Sequence, residues 1–163
     1  MFCCSPRLFP SRMIALSMAL SCAIAAVFFL RAPSLAQKGE AEAQPTFSDF
    51  KGVRIGMPLD EARKKLGSPR DKSDEQDFYM IGDSQAVQIY YDKGKAVSAI
   101  SIDFMGGSGI PTCKDVLGAD TPPKADGSVY KLMRYPKAGY WVSYSRTAGN
   151  SPTVTITMQK IEH

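Results

Sequence analysis

The sequence predicts an α+β fold in which two tandem helix-plus-three-strand units form one antiparallel sheet with both helices packed on one face. Three observations predict it: a helix-like segment bounded by glycine and proline, alternating apolar segments after it, and a return of the same order in the second half. With 163 residues, 44% of them hydrophobic and 22% charged, the chain has the size and composition of one globular domain or two very small ones.

The first predicted element is a short helix in GMPLDEARKKLGSP, residues 56–69. Pro58 suits the first helical position, where its missing N–H costs nothing. Gly67 stands where a left-handed cap is expected, and Pro69 prevents continuation. Acidic residues in the first turn and basic residues in the last turn match the helix dipole. Apolar residues at spacings of three and four form one narrow stripe: Leu59, Ala62 and Leu66.

Three strand-like segments follow, at residues 77–81, 86–92 and 96–104. In the second of them, Val87 and Ile89 alternate with Gln88 and Tyr90, which is the period of a half-buried strand. The turn-prone DKGK joins the second segment to the third, as in a β-hairpin. These segments complete a first unit, residues 47–105.

The order of elements then repeats in residues 106–163. GIPTCKDVLGADTP, residues 109–122, restates the first helix, and strand-like segments follow at 127–136, 139–147 and 152–161. A repeat of this kind indicates an internal duplication. Two such units joined edge to edge predict a sheet of about six strands whose other face is partly open. The flexible MGGSG between the units is interpreted as a linker.

The N-terminal residues 1–36 are interpreted as a signal peptide or an N-terminal anchor. Arg7 and Arg12 precede an apolar run over residues 13–30, and Ser34-Leu35-Ala36 has the small-x-small pattern of a cleavage site. A polar linker, residues 37–46, follows. Cleavage predicts a periplasmic or secreted protein. An uncleaved segment predicts an anchor in the inner membrane with the body outside the cytoplasm.

The basic charge of the chain does not indicate a nucleic-acid partner. Three arginines lie in the first 31 residues, and without them 17 basic residues face 16 acidic ones. The body is therefore close to neutral and carries no predicted basic patch. A membrane contact is expected only through an uncleaved N-terminal segment.

No catalytic centre, metal site or cofactor is predicted, so the protein is interpreted as a non-enzyme. His163 is the only histidine and is the last residue, which argues against a histidine relay. Cys113 aligns with the apolar stripe and is expected to be a buried structural residue. The acidic DKSDEQDF, residues 71–78, lacks the spacing and glycine of a calcium loop and is interpreted as an exposed turn.

The pattern G-M-x-x-x-x-A-x-x-x-L-G-x-P followed by an antiparallel meander resembles the SmpA/OmlA group of outer-membrane assembly lipoproteins. The duplicated unit is also similar to the secreted β-lactamase-inhibitor protein. Pro58 stands where the lipoprotein group usually has serine or threonine. The resemblance implies an exported, non-catalytic protein that binds other extracytoplasmic or envelope proteins.

Four residues form the candidate protein-binding surface: Tyr90, Trp141, Arg134 and Arg146. Tyr90 alternates out of phase with the apolar side of its strand, and the repeat register places Trp141 on the same outward face. Aromatic residues and arginine are enriched where proteins bind each other. The same rings could instead close the edges of a small core. The sequence therefore predicts a protein-binding module of envelope assembly, envelope maintenance or inhibition; the alternative is a periplasmic carrier of a small molecule or lipid.

Overall fold

A computed structural model describes residues 44–162 of the chain. It is an α+β structure containing one seven-stranded sheet. The helices are α1 (Leu59–Leu66) and α2 (Cys113–Leu117). The strands are β1 (Asp71–Lys72), β2 (Gln76–Ile81), β3 (Gln85–Tyr91), β4 (Val97–Phe104), β5 (Val129–Tyr135), β6 (Tyr140–Arg146) and β7 (Val154–Lys160). A 3₁₀ turn, Pro136–Ala138, connects β5 to β6.

The sheet has the order β1-β2-β3-β4-β7-β6-β5, and every neighbouring pair is antiparallel. Each of the six predicted strands is present, with ends moved by no more than two residues. The prediction of about six strands is wrong by one, because β1 pairs with β2 inside the segment interpreted as an exposed turn. The third strand of each half, β4 and β7, pairs at the centre of the sheet.

One hydrophobic cluster contains the buried residues of both helices and of one face of the sheet. The helices contribute Leu59, Ala62, Cys113, Val116 and Leu117. Branched side chains with no exposed surface fill the centre of the cluster: Val87, Ile89, Ile100, Val142 and Ile156. Cys113 is buried, as predicted, and its Sγ lies 3.5 Å from the carbonyl oxygen of Ala119.

The two helices differ at their ends. Pro58 is the N-cap of α1 and makes no side-chain capping bond. Gly67 has φ +85° and ψ −159°, so the positive φ favours glycine, although the conformation is not the left-handed cap that was predicted. Gly118, after α2, does adopt that cap, with φ +73° and ψ −5°.

Helix α2 begins with a capping box. Oγ1 of Thr112 accepts a hydrogen bond from the backbone N–H of Asp115, and the carboxylate of Asp115 accepts one from the N–H of Thr112. The hydrogen bonds from Thr112 hold the pKa of Asp115 below its ordinary value. These bonds satisfy donors that no helical carbonyl can reach, which allows a helix of only five residues.

Thr112→Ala is therefore expected to lower the free energy of unfolding by about 1 kcal/mol. Urea denaturation of the full chain, followed by fluorescence of its single tryptophan, measures the change. The matched control is Thr153→Ala, because the Thr153 hydroxyl makes no side-chain hydrogen bond within residues 44–162. Equal losses for the two variants would contradict the capping role.

Nearly all of the predicted leader and linker lies outside residues 44–162, including the proposed cleavage site and the apolar run. Among those 119 residues that the structure describes, no helix is both long enough and apolar enough to cross a membrane. Phe47, at the predicted start of the folded part, packs against the hydrophobic cluster.

Candidate functional site

The strand pairings assign the residues of β2–β7 to two different faces of the sheet. Residues directly opposite each other in a sheet share a face, and alternate residues of one strand lie on opposite faces. The core face carries the residues of the hydrophobic cluster. The open face, as we call the other one, consists of Gln76, Phe78, Met80, Ala86, Gln88, Tyr90, Ala99, Ser101, Asp103, Tyr130, Leu132, Arg134, Trp141, Ser143, Ser145, Thr155, Thr157 and Gln159.

Three of the four predicted site residues lie in one row across the open face. Tyr90 pairs with Ala99, Ala99 with Gln159, Gln159 with Trp141, and Trp141 with Arg134. The spacing of strands places Tyr90 and Trp141 about 14 Å apart, with the small Ala99 between them. Both aromatic side chains are half-buried, so each presents part of its ring to solvent. The row brings two aromatic rings and a guanidinium to one surface.

Arg146 lies on the core face, not on the open face. It pairs with Val129 and Val154 at the ends of their strands, and its Nη2 lies 3.4 Å from the carbonyl oxygen of Gly127. Together with Cys113 and Tyr144 it lines a separate cavity of about 220 Å³. The sequence predicted Arg146 near the other three residues. Because side chains alternate along β6, Arg146 instead lies on the same side as Tyr144, two residues earlier.

The centre of the open face is lined by small, uncharged polar groups. Ser101 Oγ lies 3.3 Å from Thr157 Oγ1, and the hydroxyl of Tyr90 donates to Oε1 of Gln88 over 2.7 Å. Asp103 and Arg134 are the only charged residues of this face in β2–β7. Asp103 is already engaged, because its carboxylate accepts a hydrogen bond of 2.6 Å from Thr155. The face is therefore polar and nearly uncharged at its centre.

A groove of about 530 Å³ follows the central strands of the open face. Its walls include Tyr90, Ala99, Ser101, Thr157 and Gln159. The groove runs beside Tyr90 of β3, where Ala99, Ser101 and Thr157 of β4 and β7 are small. Sequence reasoning did not single out Gln159, although it alternates with the apolar Met158 at the end of β7.

A buried ion pair joins α1 to the sheet at the other face. Asp77 has no exposed surface, and its carboxylate accepts bonds of 2.8 Å from Nε and 2.7 Å from Nη2 of Arg63. The hydroxyl of Tyr91 donates to the same carboxylate over 2.7 Å, and that of Tyr79 lies 3.4 Å away. The interpretation of residues 71–78 as an exposed turn is therefore wrong for Asp77. It pairs with Ile89 and shares the core side of β2 with Tyr79.

Burial and hydrogen bonding act on Asp77 in opposite directions. Burial alone would raise the pKa of its carboxyl, but hydrogen bonds from Arg63 and Tyr91 and the charge of Arg63 outweigh it and hold the pKa below its ordinary value. Burial and the neighbouring carboxylate raise the pKa of Tyr79 to about 12. The carboxylate thus stays ionised and the phenols stay neutral at physiological pH.

The depressed pKa of Asp77 predicts an acid-dependent loss of stability. A group with a lowered folded pKa stabilises the fold above its unfolded pKa, about 3.9 for aspartate, and that contribution is lost as the pH falls through the folded value. Urea denaturation of the full chain at pH 6, 4 and 3 should therefore show a smaller pH dependence in Asp77→Asn than in the natural chain. Parallel pH profiles for the two proteins would contradict the assignment.

Within residues 44–162, no cluster of three or more histidine, cysteine, aspartate or glutamate side chains is placed to hold a metal ion. The open face brings together three of the four residues selected from the sequence: Tyr90, Trp141 and Arg134. Comparisons with protein-family models, with curated proteins and with solved structures produce no match for this chain.

Proposed function

We propose that this protein is an exported, non-catalytic module that binds another extracytoplasmic or envelope protein through the open face of its sheet. The observation that carries the proposal is the row of Tyr90, Trp141 and Arg134 on that face. Tyrosine, tryptophan and arginine dominate binding energy in protein interfaces, because each offers a large contact area together with a polar group. The export signal proposed for residues 1–36 gives the module its place outside the cytoplasm.

The arrangement of the open face supports protein binding as opposed to catalysis. Aromatic groups flank a centre of small hydroxyl and amide side chains, so the face offers a partner both apolar anchors and polar contacts. Because the centre is nearly uncharged, burying it under a partner would remove few charges from water and would cost little free energy of desolvation. Envelope assembly or maintenance and inhibition of an extracytoplasmic protein are both compatible with such a surface.

We infer that two tandem units build this surface. In support, β2–β4 and β5–β7 are both three-stranded meanders, and each is preceded by one helix. Their last strands, β4 and β7, pair with Ile100 opposite Met158 and Ile102 opposite Ile156. Joining the units in this way places Tyr90 of one and Trp141 of the other on the same side. Packing of both helices on the opposite side would leave the open face available to a partner.

We favour protein binding over the carrier alternative because the region between helices and sheet is filled by buried side chains. A carrier would need a cavity between helices and sheet, but the residues there include Ile89, Ile100 and Met158, which have no exposed surface. The groove of about 530 Å³ borders the opposite face and is open to solvent. Failure of apolar fluorescent probes to bind the folded chain would agree with this choice, whereas saturable binding of such a probe would favour the carrier.

A cross-linking pull-down tests the proposed function. The tagged full chain is expressed in its own envelope, cross-linked, and its retained proteins are identified by mass spectrometry. Trp141→Ala is expected to reduce recovery of a genuine partner at least tenfold, since loss of an aromatic anchor residue costs about 2 kcal/mol or more of binding free energy. Arg134→Ala should also weaken recovery, and its matched control Arg70→Ala, an exposed arginine outside the open face, should not.

Recovery of the same proteins in equal amounts with Trp141→Ala, Arg134→Ala and Arg70→Ala would overturn the proposal. Circular dichroism of each variant shows whether the fold is retained. A blank result with the natural, folded chain would shift the assignment to the carrier alternative.

A further inference from the structure

Strand β5 forms one edge of the sheet, and it carries two charged residues, Lys131 and Arg134, but none of the backbone devices that protect an edge. It is seven residues long, contains no proline, and pairs with β6 in continuous register without a bulge. The opposite edge is different, because β1 has only two residues. A long, regular edge strand offers a row of backbone donors and acceptors to another strand.

The backbone geometry identifies which groups point outward from β5. The N–H of Ile161 donates to the carbonyl of Gly139, and the N–H of Thr147 donates to the carbonyl of Thr153, so odd-numbered residues of β6 point towards β7. Alternation then directs Tyr140, Val142, Tyr144 and Arg146 towards β5. Their partners in β5 are the odd-numbered residues. The N–H and C=O groups of Tyr130, Leu132 and Arg134 therefore point away from the sheet.

The side chains of the same three residues lie on the open face and are exposed. Tyr130 is 51% exposed and Leu132 is 39% exposed. They are two of the three large hydrophobic residues that are exposed in the described part of the chain. No hydrogen bond from residues 44–162 reaches the outward backbone groups of Tyr130, Leu132 or Arg134.

The sequence of β5, VYKLMRY, is complementary to itself when two copies run antiparallel about Leu132. Leu132 then faces Leu132 of the second copy, and Tyr130 faces Arg134, a pair that allows a cation–π contact. On the core side Lys131 faces Met133, so no like charges stand directly opposite each other. The two Lys131 side chains come only diagonally close, and each has its Nζ 3.5 Å from its own Ala119 carbonyl.

Other two-fold registers are less complementary. Centring the pair on Lys131 would set two lysines face to face, and centring it on Met133 would leave the start of each strand unpaired. The register about Leu132 pairs all seven residues of each strand and aligns the outward groups of residues 130, 132 and 134 as hydrogen-bonded pairs.

We propose that β5 is a self-association edge, at which two copies of this chain pair antiparallel about Leu132 to form one continuous sheet. The two-fold axis would be perpendicular to the sheet, so the open faces of both copies lie on the same side. Arg134 of each copy would then adjoin Tyr130 of the other. The proposal does not require a partner on the open face, although Arg134 belongs both to the row proposed to bind that partner and to the edge of β5.

Disulfide trapping tests the edge and its register. The full chain is prepared in mild detergent with Cys3, Cys4 and Cys22 replaced by serine and the buried Cys113 retained. A hydrogen-bonded antiparallel pair has Cα atoms about 5.5 Å apart, within the range that a disulfide bridges. Under mild oxidation, Leu132→Cys should give about tenfold more disulfide-linked dimer than its neighbours Lys131→Cys and Met133→Cys, each of which faces a different residue.

Mixed samples distinguish the proposed register from random collision. Tyr130→Cys and Arg134→Cys should each give little dimer alone and a strong heterodimer when combined. Equal dimer yields at all five positions would overturn the register. The register would also be overturned if mixing Tyr130→Cys with Arg134→Cys gave no more disulfide-linked dimer than either variant alone.

Sedimentation provides a readout that does not depend on cysteine variants. The natural chain should sediment as a dimer, and Leu132→Lys, which sets two ammonium groups face to face, should sediment as a folded monomer. A natural chain that stays monomeric at concentrations of about 100 μM, where even weak standard interfaces associate, would overturn the proposal and leave the edge open to a different chain.

Discussion

Arg63→Met is expected to lower the free energy of unfolding by about 3 kcal/mol, because it leaves the carboxylate of Asp77 charged and buried without its main partner. Asp77 is completely buried, whereas the side chain of Arg63 is 26% exposed. Water can therefore approach the vacated side, which places the effect at the lower end of the range for broken buried pairs. The hydroxyl of Tyr91 remains as a donor but carries no charge to balance the carboxylate.

Urea denaturation followed by tryptophan fluorescence measures this loss. The matched control is Lys64→Met, one residue along the same helix and exposed, which should change stability by no more than about 0.5 kcal/mol. The double variant Arg63→Met/Asp77→Asn should recover part of the loss, since it removes the stranded charge as well. A double variant as unstable as the sum of the single variants would show that the two residues do not act as a pair.

Ile156→Ala is expected to lower the free energy of unfolding by about 3 to 4 kcal/mol, because it leaves a cavity in the core. Ile156 is the third of the seven residues of β7, has no exposed surface, and faces Ile102 on one side and Tyr144 on the other. Because β7 is the strand at which the two halves of the sheet meet, a cavity there removes contacts from both. Ile156→Val should cost about 1 kcal/mol, which gives a graded series at one position.

Gln159→Ala is the control for this series, because Gln159 is in the same strand but is exposed on the open face. Its expected change in stability is within about 0.5 kcal/mol. If Ile156→Ala costs no more than Gln159→Ala in urea denaturation, β7 does not join the two halves in the way described here.

The sequence predicted the α+β class, the antiparallel sheet and the approximate bounds of six strands, and the structure confirms these. The physical reason is that each signal is local. Alternation in AVQIYYD and TVTITMQ reports which side of a strand is buried, and glycine and proline mark where a segment ends. The same alternation was sufficient to place Tyr90 and Trp141 on one face, once the strands pair in order.

Two local predictions failed, one because distant residues decide it and the other because of a short-range strand pairing. Asp77 belongs to an acidic segment that has the composition of an exposed turn, and its burial is tolerable because Arg63, 14 residues earlier, and Tyr91, 14 residues later, donate to its carboxylate. The short β1 forms because β2 is already present to pair with Asp71 and Lys72. Arg63 lies outside the acidic segment, whereas Phe78 and Asp77, which pair with β1, lie within it.

By itself, then, the sequence determined which residues alternate, where α1 and the six strands lie and which face of each strand is apolar, since these depend on neighbours within a few positions. Only the tertiary structure decided the order β1-β2-β3-β4-β7-β6-β5, the alignment of Tyr90, Trp141 and Arg134 in one row, the place of Arg146 on the other face, and the exposure of β5 at an edge. These features depend on hydrogen bonds between strands up to about 60 residues apart, and the energy of such pairings is set by the whole sheet, not by any one segment.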